Sequence, residues 1–453
     1  MERPQRSFWQ IWNLSFGFAG IQFGWGLQMA NMSAIYEYLG ARADQIPILW
    51  LAAPLTGLLI QPVIGHLSDR TWCWLGRRRP YFLAGAIFSS AALLLMPHSS
   101  ALWMAACLLW VLDGCINISM MPYRAFVADM LPESQHTAGF AMQSLLIGLG
   151  AVIASWLPWI LTNIFHVPTS SASGAIPFAV RFSFYIGAAA FIGAVLWTVV
   201  TTPEYPPENV EEFRRKKTEN RGIFRAAAEI IAAMRQMPRT MRQLAWVQLS
   251  TWLGFYCMWL YFSVAVARNV LGATSTASPL YTEGIEWGGV CFGFYSLICF
   301  LFSFLLSPMA ARIGRKATHS LCLVAGALGL LSVALIHTKL WLLLSMTGVG
   351  IAWASTLAMP FAIVSGVLPQ DQYGVYMGIF NLFIVLPEVI ASVGFGWVMV
   401  HLLNDNRLAA VVAGGVFFLL AGVLTLGVED KGDQGKRTMT FRHEKEREHG
   451  VMG

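Results

Sequence analysis

The sequence predicts an all-α membrane protein of twelve transmembrane helices in two six-helix halves. Three observations lead there. Of its 453 residues, 56% are hydrophobic and only 12% charged, which is too apolar for a soluble globular domain and makes lipid the solvent. Twelve apolar runs are long enough to cross a bilayer, which takes about 20 helical residues. The chain also repeats itself, its second half echoing the first.

The runs lie at 12–34, 47–67, 81–97, 101–127, 138–162, 178–202, 244–268, 288–309, 318–336, 340–364, 375–401 and 407–428. Pro54, Pro122, Pro158, Pro360 and Pro387 fall inside them, as membrane helices allow when neighbours satisfy the freed backbone groups. The start, MERPQRSFWQIWNLSFGFAG, is basic and then apolar, but it continues through Gln22, Gln28 and Asn31 with no small-residue cleavage site. It reads as a first span, not a cleaved signal.

Orientation follows from Lys and Arg, which collect in short cytoplasmic loops. With the N-terminus inside, the cytoplasmic face holds Arg3, Arg6, Arg70, Arg77–Arg79, the basic residues of 203–243, Arg312, Arg315, Lys316 and those of the tail. The outside holds only Arg42, Arg181, Arg268, Lys339 and Arg407. The expectation is a multi-pass protein of the cell (inner) membrane with both termini cytoplasmic. The net charge of +6 is then an orientation signal, so a nucleic-acid partner is not expected. Six of the seven cysteines sit in spans without metal-type spacing, so neither a disulfide framework, a metal site nor a cofactor is predicted.

The repeat is specific. Leu131-Pro132, Gln135, Ile147 and Val152–Ser155 recur at one constant offset as Leu368-Pro369, Gln372, Ile384 and Val389–Ser392. Spans 4–5 therefore match spans 10–11 in the same orientation. The expected division is an N-terminal half at 1–202, a charged cytoplasmic linker at 203–243, a C-terminal half at 244–428 and a cytoplasmic tail at 429–453. Parallel halves about an axis along the membrane normal, with substrate held between them near mid-depth, are the architecture of major facilitator transporters.

Particular motifs sharpen this. GHLSDRTWCWLGRRRP carries Gly65, Leu67, Asp69, Arg70, Gly76, Arg77, Arg78 and Arg79; also present are IQFGWGLQ (21–28), WLAAPLTGLLIQPVIG (50–65), the Asp113, Asn117, Pro122 and Arg124 spacing, MPFA (359–362) and GIFNLFIVLPE (378–388). Together they resemble the sucrose:proton symporter family and its bacterial glycoside:cation symporter relatives, across nearly all spans. The resemblance implies a proton-coupled symporter that imports a disaccharide (sucrose, maltose or another α-glucoside) by alternating access. Span 7 departs from the plant members, which carry acidic residues where this chain reads YFSVAVAR (261–268).

Span 4 carries the chemistry. At about 100° per residue, Asp113, Asn117 and Arg124 share one helix face, yet the eleven residues from Asp113 to Arg124 rise roughly 16 Å, too far for a direct pair. Asp113 falls near mid-depth and Arg124 near the inner end. A carboxylate at mid-depth costs about 2.5–3.5 kcal/mol on insertion scales and usually marks an ion route, so Asp113 is the first proton-coupling candidate; the alternative is a neutral Asp acting as structural glue. Glu388 is the second, as a proton site or a sugar ligand, or as a neutral partner of the helix break at Pro387. Within the expected boundaries it is the only other carboxylate well inside a span. Gln22, Gln61, Asn117 and Asn381 are candidate ligands for sugar hydroxyls, together with Asp113 and Glu388, and Tyr256 and Trp353 are candidate platforms for a sugar ring. Either aromatic serves equally as packing. Asp69 with Arg77, Arg78 and Arg79 resembles an inner latch, with positive-inside anchoring as the plain alternative for the arginines, while Arg124 is a gating residue or an arginine that snorkels to the interface.

No phosphate-binding GxxxxGK[ST] loop and no HExxH occurs, so neither an enzyme nor an ATP-driven pump is expected. The expected partners are the disaccharide, protons and the lipid bilayer, and the chain is expected to act as a monomer. A proton-independent facilitator or exporter of the same fold, or a non-transporting sugar sensor, remains the alternative.

Overall fold

The computed structural model describes residues 4–69, 71–132, 135–168, 176–206, 234–365, 367 and 373–430. Most of the expected linker and nearly all of the tail lie outside these residues, as does the side chain of Asp69. Fourteen α-helices follow one another among the described residues. In order they are α1 (Phe8–Ser15), α2 (Gly17–Tyr38), α3 (Ile46–Leu49), α4 (Ala52–Asp69), α5 (Arg79–Leu95), α6 (Leu102–Met130), α7 (His136–Asn163) and α8 (Phe178–Thr201). The remainder are α9 (Arg239–Ala265), α10 (Pro279–Ile313), α11 (Arg315–Ser332), α12 (Leu342–Ser365), α13 (Tyr373–His401) and α14 (Arg407–Leu426).

Local chemistry sets their ends. Ser7 and Gln10 form a reciprocal capping box that starts α1, satisfying backbone N–H groups that a helix start leaves bare. Asn406 accepts the Ala409 N–H at the start of α14. Gly314, at φ 86°, sits between α10 and α11, a left-handed conformation that glycine adopts without a Cβ penalty. Pro122, Pro158, Pro308, Pro360 and Pro387 all lie inside helices.

Eleven helices among the described residues are long and apolar enough to cross a membrane. The expected first span is the 22-residue helix α2, which falls outside that set because Gln22, Gln28, Asn31 and Glu37 lower its hydropathy. Among the boundaries that move, α10 starts at Pro279 rather than 288, and α9 starts at Arg239 rather than 244. Both extensions, like the reach of α2 to Tyr38, carry charged residues into helices. Glu388 is therefore not the only carboxylate besides Asp113 inside a helical span, because Glu37 and Glu286 are both helical and each is 5% exposed.

The helices pack as two groups. Helices α2, α4, α5, α6, α7 and α8 contact one another, as do α9 to α14. Between the groups, α7 and α2 meet α10, α2 meets α9, and α3 and α4 meet α13. Without water between helices in lipid, close association rests on small residues and interhelical hydrogen bonds. Gly254 of α9 and Gly414 of α14 show this: a Cβ added to Gly254 would lie 2.9 Å from the Gly414 carbonyl oxygen, and one added to Gly414 would lie 2.8 Å from that of Gly254.

Gly414→Val should therefore push α9 and α14 apart and cost about 1–3 kcal/mol, as overpacking does. A lowered Tm of the detergent-purified protein would show it; an unchanged Tm would mean this contact is not tight.

Candidate functional site

Asp113 lies in the middle of α6, completely buried. Gln28 of α2 donates its Nε2 to Asp113 Oδ1 at 2.8 Å. One turn further on, Asn117 donates Nδ2 to the Asp113 carbonyl at 2.9 Å and to Thr56 Oγ1 at 3.1 Å. Gln61 of α4 donates Nε2 to Asn117 Oδ1 at 2.6 Å. Three helices thus meet in one amide-rich network around a single carboxylate. The network is incomplete: Asp113 Oδ2 and Gln28 Oε1 are both buried acceptors with no hydrogen-bond partner, a costly arrangement inside a protein.

Glu388 lies on α13, a helix of the other group that packs against α4, the helix carrying Thr56 and Gln61. It is half-buried in α13, and its carbonyl accepts the Ser392 hydroxyl at 2.8 Å. The Ser392 hydroxyl in turn pairs with the Tyr256 hydroxyl, which also donates to the Pro47 carbonyl at 3.1 Å.

Asp113, Asn117 and Gln61 are therefore brought together, while Glu388 lies on the helix that packs against α4. Tyr256 lies at the edge of the group, buried and with its hydroxyl already engaged. Trp353 sits instead in an aromatic cluster of the second group, 4.9 Å from Phe255 and 5.5 Å from Trp259 between ring centroids. Gln22 is half-buried, about two turns from Gln28 along α2, and Asn381 is exposed two turns from Glu388 on α13. Sequence reasoning missed Gln28 and Thr56 as members of the network. The signal was there, because Gln28 is a polar residue in the middle of an apolar run.

A second cluster lies at the end of α2. Glu37 has a side chain only 1% exposed. Its Oε2 accepts Arg268 Nη2 at 2.8 Å, Arg268 Nε at 3.1 Å and the Tyr281 hydroxyl at 3.0 Å. Its Oε1 accepts Arg407 Nη2 at 2.8 Å and Nε at 3.1 Å. The acid belongs to the first group of helices and all three donors belong to the second. Around it, further bonds join the groups: Tyr38 with Thr282, Tyr261 with the Ala43 carbonyl, Thr162 with Glu286 and Trp156 with the Val290 carbonyl. The groups are thus fastened at the Glu37 end.

The opposite end is organised differently. Arg78 meets Asp129 at 3.0 Å and Ser68 at 2.6 Å, and Arg77 meets Asp129 at 3.4 Å. The Glu204 carboxylate accepts the backbone N–H groups of Arg77, Arg78 and Arg79 at 2.8–2.9 Å. Arg315 pairs with Asp430 at 2.8 Å. Each of these contacts stays within its own group of helices. Arg124 is exposed in α6, with Nη2 3.7 Å from Met120 Sδ.

Comparison with known proteins places this geometry. The model of the Major Facilitator Superfamily matches residues 14–392, with a further match at 284–445. The chain belongs to that superfamily. It is a membrane transporter and not an enzyme. Curated relatives include "Sucrose transport protein SUC4" of Arabidopsis thaliana, 25% identical over 450 residues, covering 90% of this chain and 87% of the relative. "Sucrose transport protein SUT5" of Oryza sativa subsp. indica is 23% identical, covering 90% and 85%. Among solved structures, the nucleoside transporter NupG has a TM-score of 0.69 at 13% identity, covering 93% of this chain and 99% of that one. The peptide transporter POT in complex with sulfate has a TM-score of 0.69 at 13% identity, covering 94% and 96%. These structures share the fold.

The Glu37 cluster generates a prediction. Removing one side of a buried ion pair costs about 3–5 kcal/mol, because the remaining charges stay buried. Glu37→Gln should loosen the fastened end, so that backbone amides at 31–38 and 263–271 exchange hydrogen with solvent at least roughly tenfold faster, about 1.4 kcal/mol or more. Unchanged exchange in both segments would show that the cluster does not hold this end shut.

Proposed function

We propose that the protein is a proton-coupled symporter that imports a disaccharide, with Asp113 exchanging the proton and Glu388 responding across the interface between the two halves. The observation that carries this reading is the incomplete hydrogen bonding at Asp113. With both Asp113 Oδ2 and Gln28 Oε1 buried and unpartnered, a proton on the carboxyl replaces one orphaned acceptor with a donor and removes a buried charge. The protonated carboxyl can donate to an oxygen of the sugar while Gln28 Oε1 accepts a sugar hydroxyl, so the protonated site binds the sugar more tightly. Proton and sugar thus act on one group, and that is what coupling requires, since a ligand shifts an equilibrium only by its differential affinity for two states.

Sugar as the substrate class is supported by the amides around Asp113 and by the sucrose transport proteins among the relatives. The halves are 1–202 and 244–428, joined by the linker 203–243. The arginine-rich end faces the cytoplasm and the Glu37 end faces outward, as the distribution of Lys and Arg requires. The conformation described is then closed to the outside by Glu37, Arg268, Arg407 and Tyr281. In the alternate state the outer fastening parts and the inner end closes, with Asp69 and Arg77–Arg79 as the inner latch and Arg124 lining the route. Gln22, Asn381 and Trp353 contribute to the sugar site as the halves rearrange.

Asp113→Asn preserves size and much of the hydrogen bonding but removes titration. In proteoliposomes it should abolish uphill sugar accumulation driven by a pH gradient, which contributes about 1.4 kcal/mol per unit, while sugar-for-sugar exchange persists. Accumulation that survives in Asp113→Asn but is lost in Glu388→Gln would move the proton site to Glu388. Accumulation that follows a sodium gradient and ignores the proton gradient would overturn proton coupling.

A further inference from the structure

A pocket of about 220 Å³ opens at the Glu37 end, between the last turn of α7 and the first turns of α10. At about 30 Å³ per water it has room for roughly seven waters, the scale of one sugar ring rather than two. Trp159, Thr162 and Asn163 form one wall, from the first group of helices; Glu283, Glu286 and Lys339 are on the other, from the second.

The wall chemistry is mixed in a specific way. Glu283 is already neutralised by Lys339 Nζ at 2.6 Å, so the pocket does not call for a strong cation. Glu286 is 5% exposed and accepts the Thr162 hydroxyl at 2.6 Å, while Asn163 Nδ2 donates to the Trp159 carbonyl at 3.0 Å. A carboxylate offers about four lone-pair sites, so this bond leaves acceptor capacity for ligand hydroxyls. Lys339 keeps N–H donors beyond the one given to Glu283, which suit hydroxyl or ring oxygens. Trp159 contributes an aromatic surface. Convergent acceptors and donors beside an aromatic side chain suit a neutral polyhydroxylated ring.

We propose that this pocket is an external regulatory site for a single sugar ring, distinct from the transport site around Asp113, and that its occupant holds the outer end closed. The inference rests on the reading that the two halves part at this end during transport. Because its walls belong to different halves, the pocket is assembled only while α7 and α10 are packed together. Parting the halves divides it. A sugar bound there favours the outward-closed state by its whole binding free energy, and the carrier is slowed without competition at mid-depth.

The test uses D-glucose as the probe. Saturation-transfer NMR on the purified protein should show glucose binding that survives a saturating transported disaccharide and survives Asp113→Asn. In proteoliposomes, glucose on the outer face should lower the maximal rate of disaccharide uptake several-fold. Trp159→Ala and, as a second variant, Asn163→Ala should keep ordinary uptake while losing both glucose binding and inhibition. Four outcomes overturn the proposal: no glucose binding, inhibition that only raises KM, glucose inhibition undiminished in both folded variants, or the same inhibition by choline but not by glucose. The NMR binding measurement needs no transport, so a failure of proton coupling leaves it standing, and an empty pocket leaves disaccharide symport untouched.

Discussion

A carboxylate deprived of water must be paired, neutralised or given access to a cavity, and three acids in this protein meet that constraint in three ways. Glu37 is paired, with two guanidinium groups and a tyrosine hydroxyl closing around it. Asp113 is enclosed by amides but left with one oxygen unsatisfied. Glu388 is half-buried on α13, which packs against α4. Pairing makes a fastening, incomplete satisfaction leaves an acceptor that a proton would satisfy, and partial exposure leaves a carboxylate within reach of solvent. The rest of the molecule positions these three acids.

The geometry connects the fastening to the site. Helix α2 carries both Gln28, which touches Asp113, and Glu37, which ties the two groups together. The nine-residue step from one to the other spans about 14 Å of helix, so a tilt of α2 that releases Glu37 also displaces Gln28. On the other side, Tyr256 joins the Pro47 carbonyl to Ser392, one turn from Glu388. Contacts thus run from the Glu37 end toward Asp113 along α2 and toward Glu388 through Tyr256 and Ser392. Rigid-body rocking about a fixed central site is the motion this arrangement accommodates.

Much of this was legible in the sequence, for a physical reason. Asp113, Asn117 and Gln61 stand out because a polar side chain in an apolar run is expensive and needs an explanation. The repeat and the concentration of arginines at one end were equally visible, being patterns of order and composition. Glu37 was not. It lies beyond the apolar run assigned to the first span, and its partners are 231 and 370 residues away in the chain. Arg268 and Arg407 accordingly looked like ordinary loop charges. Glu286 was hidden in the same way, because α10 begins at Pro279, before the apolar run does. Hydropathy finds where lipid touches the chain; it does not find where protein alone excludes the water. The partners of the arginine run, Asp129 and Glu204, likewise depend on which helix ends meet.

The most direct test of Asp113 as the shared point of proton and sugar is the proton balance of sugar binding, measured on purified protein in weak buffer with a pH indicator. Proton coupling through Asp113 predicts uptake of up to one proton per sugar bound, strongest where Asp113 is ionised in the free protein, and none in Asp113→Asn. Sugar binding without any proton uptake over the whole pH range, or the same uptake in Asp113→Asn, would contradict it.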